Sequence, residues 1–310
     1  MRLAQTLLIA GGLLVSTAAA AIPFSSLFAF GDSNSDNGRR LQLQGTKPGS
    51  PPYFQGRHSN GPVAVEYLAG ALGLGGGQFV DYAVGGALAG HGNVDPDPLL
   101  GATGLLDQFS TFHSSHATAD PDALYFVYGG DNDINQCKGP NNNACTQAQI
   151  SAAVTNLETL VGDLAGLGAQ HFMVIGSYGG GVSKNQFRAL LQSRMQSLDA
   201  SLLNADIVYL DLRPALLGMI AVNNPYGFTN TSSADPCYTG DLKGTPGSGT
   251  VCADPQHYVF WDLEGHLTAP AQQIMGSAMI AAVPEPGSLG LLGLALAGLG
   301  VSRRKRVSWH

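Results

Sequence analysis

Short apolar runs and longer amphipathic stretches alternate along most of this chain. Five runs rich in β-branched or aromatic residues, Leu27–Phe30, Phe79–Ala83, Leu124–Tyr128, Phe172–Ile175 and Ile207–Leu210, have the length and composition of buried strands. Between them, Val63–Leu72, Ala148–Leu167 and Gln186–Leu203 repeat apolar residues at intervals of three and four, the buried stripe of a helix. Strands separated by helices pair in parallel. The pattern therefore predicts a three-layer α/β/α sandwich: a mainly parallel five-stranded sheet, helices on both faces and right-handed crossovers. In such sheets the working site lies at the carboxyl ends of the strands, so the residues after each run are the ones to read for chemistry.

The first run ends in Gly31-Asp32-Ser33-Asn34. Gly31 tolerates strained dihedrals, and Asp32 and Ser33 suit helix starts. A turn that opens a helix here would lift Ser33 off the sheet edge and point its N–H outward, toward a reacting oxygen. Taken alone, the stretch reads as an ordinary N-cap. Two further strand ends change that picture. Gly85-Gly86 follows Phe79–Ala83 and can bring a backbone N–H close to a substrate oxygen, and Asn132 follows Leu124–Tyr128 with a side-chain amide donor. A calcium loop at Asp131, Asp133 and Asn135 fails, because Gln136 stands where glycine is needed and Asn142 where glutamate is needed.

A serine nucleophile needs an imidazole base, and the base needs a carboxylate to fix its tautomer. Asp262-Leu-Glu264-Gly-His266 supplies both. Asp254-Pro-Gln-His257 is a decoy nearby. His113 and His116 sit in a polar Ser/Thr stretch, and His58 and His171 have no carboxylate among their flanking residues, so a structural or surface role is expected of each.

Composition narrows the class. The chain has 310 residues, 44% hydrophobic and 12% charged, enough for a large core. Without the basic ends it carries ten basic residues against 21 acidic ones, which repels phosphate backbones and argues against nucleic-acid binding. Residues 1–21 follow the three-part pattern of a secretory signal peptide, with Arg2, the apolar Leu7–Val15 and a small-residue close near Ala20 or Ala21. Export is therefore expected, and the four cysteines, Cys137, Cys145, Cys237 and Cys252, are expected to form disulfides. Three connectivities are open, and the local pairs Cys137–Cys145 and Cys237–Cys252 close two polar loops without long-range geometry. Zinc is the poorer reading, as no Cys-x-x-Cys occurs.

In order along the chain, G-D-S-N-S-D-N-G, D-Y-A-V-G-G, G-D-N-D and F-W-D-L-E-G-H-L-T resemble the sequence blocks of the GDSL, or SGNH, family of serine esterases and lipases. The likeness covers most of residues 24–282, and D-I-V-Y-L-D-L and Y-G-F-T-N-T resemble its secreted bacterial branch. It implies Ser33 as nucleophile, Asp262 and His266 as its partners, and an oxyanion hole made by Ser33, Gly85 and Asn132. Two departures stand out. Asn34 replaces the usual leucine, and Asp262 lies four residues before His266 where the family has three, which leaves Glu264 as the alternative carboxylate. No Gly-x-Ser-x-Gly of an α/β-hydrolase occurs. Finally, Val283-Pro-Glu-Pro286, the apolar Leu289–Val301 and Arg303–Arg306 resemble a PEP-CTERM sorting tail, which implies a transient membrane anchor and removal by a sorting protease.

The expectation is an exported serine ester hydrolase of periplasm, cell surface or medium: signal peptide at 1–21, catalytic domain at 22–282 and tail at 283–310. It needs no metal and no cofactor, and its substrate is a small-molecule, lipid or sugar ester. Acyl transfer by the same residues, or a defunct surface-binding protein, are the alternatives. The loops 41–60 and 226–252, rich in Gly, Pro and Tyr, suit a partly apolar cleft.

Overall fold

The computed structural model describes residues 24–137 and 144–283; the expected signal peptide and almost all of the expected sorting tail lie outside them. Five strands, β1 (Leu27–Gly31), β2 (Phe79–Asp81), β3 (Leu124–Tyr128), β4 (His171–Gly176) and β5 (Asp206–Asp211), form one sheet in the order β2-β1-β3-β4-β5. All four pairings are parallel. Each strand matches a predicted run within two residues at its ends.

Side-chain alternation along the strands splits the interior into two layers. Phe28, Phe30, Tyr125, Val127, Phe172 and Val174 point into one core, with α3 (Leu105–Ser115), α5 (Gln147–Gly166) and α6 (Val182–Ser201) against it. Leu27, Ala29, Leu124, Phe126, Met173 and Ile175 point into the other, against α2 (Ala64–Ala71), α7 (Arg213–Ile220) and α8 (Ala269–Ala282). The central strands are buried on both faces, which is why they read as continuous apolar runs. The predicted helices become α2, α5 and α6.

Two short helices, α1 (Arg39–Gln44) and α4 (Asp131–Gln136), follow β1 and β3. They are too short to show a periodicity. The expectation that the Ser33 turn opens a helix is corrected here. Asp32 to Asp36 make one isolated turn, in which the Asp32 carbonyl accepts from the N–H groups of Ser35 and Asp36, and α1 begins only at Arg39. The reason is Gly38, whose φ of 116° interrupts the turn, together with Asp36, whose carboxylate takes the N–H groups of Gly38, Arg39 and Arg40 and so fixes the helix start farther on.

Two disulfides pair Cys137 with Cys145 and Cys237 with Cys252, at Cα separations of 5.3 and 4.7 Å. The second belongs to a small apolar layer of Tyr53, Cys237, Tyr238 and Trp261 beside the main cores. This layer joins the two loops expected to shape the cleft. Among the described residues, no helix is long and apolar enough to cross a membrane.

Candidate active site

Three adjacent strands, β2, β1 and β3, deliver Gly86, Ser33 and Asn132 to one edge of the sheet, and the loop before α8 brings Asp262 and His266. Gly31 closes β1, and its N–H and carbonyl are both held by the Gln108 side chain of α3, at 2.9 and 2.8 Å. A Cβ on Gly31 would lie 2.7 Å from the Tyr128 carbonyl, so only glycine lets the chain turn there. The next residues are buried: Asp32 completely, Ser33 to 8% exposure.

Ser33 Oγ stands 2.8 Å from His266 Nε2. On its other side His266 Nδ1 meets Asp262 Oδ2 at 2.8 Å, in a pair that is almost wholly buried. Asp262 lies four positions before His266, and a turn absorbs the extra one. Gly265, at φ 86°, donates its N–H to the Asp262 carbonyl, while Asp262 Oδ1 accepts from the backbone N–H groups of Glu264 and His266. Glu264 contributes that N–H while its side chain is exposed at the cavity rim. His257 bonds Asp254 at 2.9 Å in a half-exposed pair outside the cavity.

Burial alone would lower His266, but the charge and hydrogen bond of Asp262 override it and raise the imidazole to about 9. Burial would likewise raise Asp262, and the His266 charge holds it below the usual carboxylate range instead. Tyr53 donates its hydroxyl to Asp262 Oδ2 at 2.9 Å. No sequence signal marks Tyr53, which lies far from Asp262 along the chain. Asp32, between Ser33 and the sheet, keeps Oδ1 on the Asn34 N–H and amide and has no protein partner for Oδ2 among the described residues; burial first, then the charge of Asp131, push it up to about 7.

The expectation puts the Gly85 N–H in an oxyanion hole. That N–H donates to Asp36 Oδ2 at 2.7 Å and the Gly85 carbonyl accepts from Arg40 and Asn93, so both sides of the residue are already spent. Gly86 is the residue that lines the cavity, and its N–H has no protein acceptor among the described residues. Its φ is 85°, and a Cβ there would meet Asn93 Oδ1, two independent reasons for glycine. The pinned Gly85 peptide is what holds Gly86 in place. Asn132, in the first turn of α4, gives one amide hydrogen to the Ala87 carbonyl at 2.9 Å and reaches the same cavity. Ser33 N–H also lacks a protein acceptor among the described residues. Ser33, Gly86, Asn132 and His266 therefore surround one space.

That space has a volume of about 930 Å³. Leu216, Ile220 and Phe260 form an apolar wall, and Arg40, Lys47, Asp95, Lys184, Arg213 and Glu264 make the rest more charged than the loop composition implied. Lys47 comes from the first of the two expected loops, and Leu242, Thr231 and Ser233 come from the second.

Residues 27–279 match the profile of the GDSL-like lipase/acylhydrolase family, and residues 282–305 match the PEP-CTERM protein-sorting motif. Acetylajmalan esterase 2 of Rauvolfia serpentina is 25% identical over 77% of this chain and 85% of its own length. The phosphatidylcholine-sterol acyltransferase of Aeromonas hydrophila is 35% identical over 36% of this chain, which spans only a third of that relative. A solved structure of a carbohydrate esterase covers 83% of this chain and 67% of its own, with 14% identity and a TM-score of 0.44, too slight a likeness to bear on the site.

Proposed function

Because this chain belongs to the GDSL-like lipase/acylhydrolase family and is an ester hydrolase, we propose that it works through an acyl-enzyme on Ser33. Ser33 Oγ attacks the acyl carbonyl carbon while His266 Nε2 takes its proton. Asp262 holds His266 in the Nδ1–H tautomer and stabilises the imidazolium that forms. The oxyanion is received by the N–H groups of Ser33 and Gly86 and the amide of Asn132. His266 then passes its proton to the leaving alcohol, and water, attacking the acyl carbon with His266 again as base, releases the acid and regenerates Ser33. The observation that carries this reading is the unbroken hydrogen-bonded line from Ser33 Oγ through both His266 nitrogens to Asp262, each step 2.8 Å.

The sorting motif implies export to the cell envelope. We place the signal peptide at residues 1–21 and take the tail to be cut after sorting. Acyl transfer to an alcohol uses the same residues, and the acyltransferase named among the relatives keeps that second reading alive.

Hydrolysis of a chromogenic ester tests the reading. Ser33→Ala loses turnover to background, and Asn132→Ala lowers kcat by roughly 10²–10³ with little change in KM, because its amide binds charge that exists only in the transition state. Full activity in Ser33→Ala would remove Ser33 as nucleophile.

A further inference from the structure

Arg40, Lys47, Lys184 and Arg213 all line the cavity, and carboxylates hold the first three. Asp95 takes Arg40 and Lys47, and Asp131 lies 3.2 Å from Lys184. Arg213 differs. Among the described residues its guanidinium has no carboxylate within ion-pair distance, and Nη1 donates to the Tyr178 carbonyl at 3.0 Å. Asp211, two residues earlier, is engaged elsewhere: it accepts the Arg213 backbone N–H at 2.8 Å and stands 3.6 Å from Arg188. The charge of Glu264, the acid at the rim, bears on Arg40, Tyr53 and His266. A guanidinium carries five N–H donors in a planar fork, so most of this one is left for a ligand.

Lys184 converges on the same place. A Cβ on Gly179 would lie 2.5 Å from Lys184 Nζ, and one on Gly180 would lie 3.1 Å from Arg213 Nη2, so the two cations flank one cavity-lining dipeptide. Asp131, the carboxylate beside Lys184, also accepts the Ser177 hydroxyl. Two positive charges thus face one negative charge, and charges that are partly buried are screened little by salt. The neighbouring surface is apolar. Arg213, Leu216 and Ile220 stand at i, i+3 and i+7 of α7, one face of that helix, and all three line the cavity. The sheet order sets the reach. From β1, which carries Ser33, it runs through β3 and β4 to β5, after which Arg213 stands. With strands about 4.8 Å apart and the guanidinium reaching back to Tyr178 after β4, the cationic end lies roughly 10 Å from Ser33.

We propose that Arg213, assisted by Lys184, binds an anionic group at the far end of the substrate, so that the preferred ester has an apolar body and a terminal carboxylate or phosphate. The inference rests on the acyl-enzyme reading above, which puts the reacting carbonyl at Ser33. The apolar body lies along Leu216 and Ile220, and the anion accepts hydrogen bonds from the Arg213 fork. No bond to the anion changes in the reaction. Its binding is equal in ground and transition states, and it is read in kcat/KM.

The test compares esters that differ only in a terminal carboxylate or its neutral amide. In para-nitrophenyl monosuberate the charge is on the acyl part, and in the acetate of para-hydroxyphenylpropionate it is on the alcohol part. At least one pair shows a preference of about tenfold in kcat/KM for the charged ester, and the pair that does so tells which part of the substrate carries the anion. Arg213→Gln brings that ratio to within about twofold of unity, Arg213→Lys keeps part of it and Arg213→Glu inverts it. A merely structural role for Arg213 would move both esters of a pair together and leave the ratio alone. If Arg213→Gln fails to fold, salt decides: the wild-type ratio falls at least about threefold between roughly 0.02 and 0.5 M salt. No preference in either pair, a preference that survives Arg213→Gln, or one indifferent to salt overturns the proposal. Activity surviving in Ser33→Ala would sink the acyl-enzyme reading instead, so the two failures are distinguishable.

Discussion

His266 and His257 stand in one short stretch, each with a carboxylate on Nδ1, and only their surroundings separate them. His257 keeps the three-residue Asp-to-His spacing of the family, but half of its side chain is exposed and it lies outside the cavity. His266 is buried and touches Ser33. His266→Ala is expected to cut kcat/KM by at least about 10³-fold, with His257→Ala staying within about twofold. Asp262→Asn costs roughly 10²–10⁴ and Glu264→Gln less than about threefold, because only Asp262 holds the His266 ring. The pH profile carries a further sign. Activity needs neutral His266, so with the imidazole raised to about 9 the rate climbs with pH up to that range. In Asp262→Asn the raising charge is gone while burial remains, and the residual activity turns on at lower pH. A rising limb at the same pH in both proteins would count against Asp262 as the partner. From sequence, the Ser, His and Asp types were legible. The Tyr53 bond to Asp262 and the Gly85 N–H bond to Asp36 were not, since both join segments that only folding brings together.

Between elements, α2 and α8 brace the loop that bears His266. The Ser59 hydroxyl bonds the Leu267 carbonyl, Asn60 Oδ1 accepts the Ala269 N–H at the start of α8, and Gln272 of α8 accepts the Ala64 N–H of α2. The helices cross closely at Gly276, where a Cβ would lie 2.7 Å from Tyr67 Cβ and 3.0 Å from the Ala64 carbonyl. Neither atom is the far end of a flexible side chain. Gly276→Ala is therefore expected to destabilise the fold by about 1–3 kcal/mol and to lower the melting temperature, despite alanine's better helix propensity. A melting temperature equal to or above wild type would show that the crossing relaxes without cost. Helices α2, α5 and α6 were readable because their successive turns display one apolar stripe. By contrast α3, with Ser, Thr and His on its exposed side, hides its period, although Leu105 and Phe112 are fully buried.

Across the whole molecule, the loop layer beside the cavity depends on a covalent link. Cys237–Cys252 closes a 15-residue separation next to Tyr238, Trp261 and Tyr53, and Tyr53 in turn holds Asp262. Replacing both cysteines by serine is expected to remove about 3 kcal/mol of stability on the chain-entropy estimate, and to lower kcat more than KM, because the slackened layer loosens Tyr53 from Asp262 rather than the substrate wall. Thermal melting together with kcat and KM checks this, and unchanged kinetics would uncouple the layer from the site. The amino-acid order by itself determined the parallel sheet, because central strands buried on both faces must be apolar throughout. It also placed Ser33, Gly86 and Asn132 after β1, β2 and β3, whereas Asp262 and His266 stand in a loop ahead of α8. Tertiary structure alone decided that Asp36 binds the Gly85 N–H while Gly86 lines the cavity, and which carboxylate meets the imidazole across the turn at Gly265. Those outcomes rest on distances of a few ångströms between remote segments, which the order of residues along the chain does not encode locally.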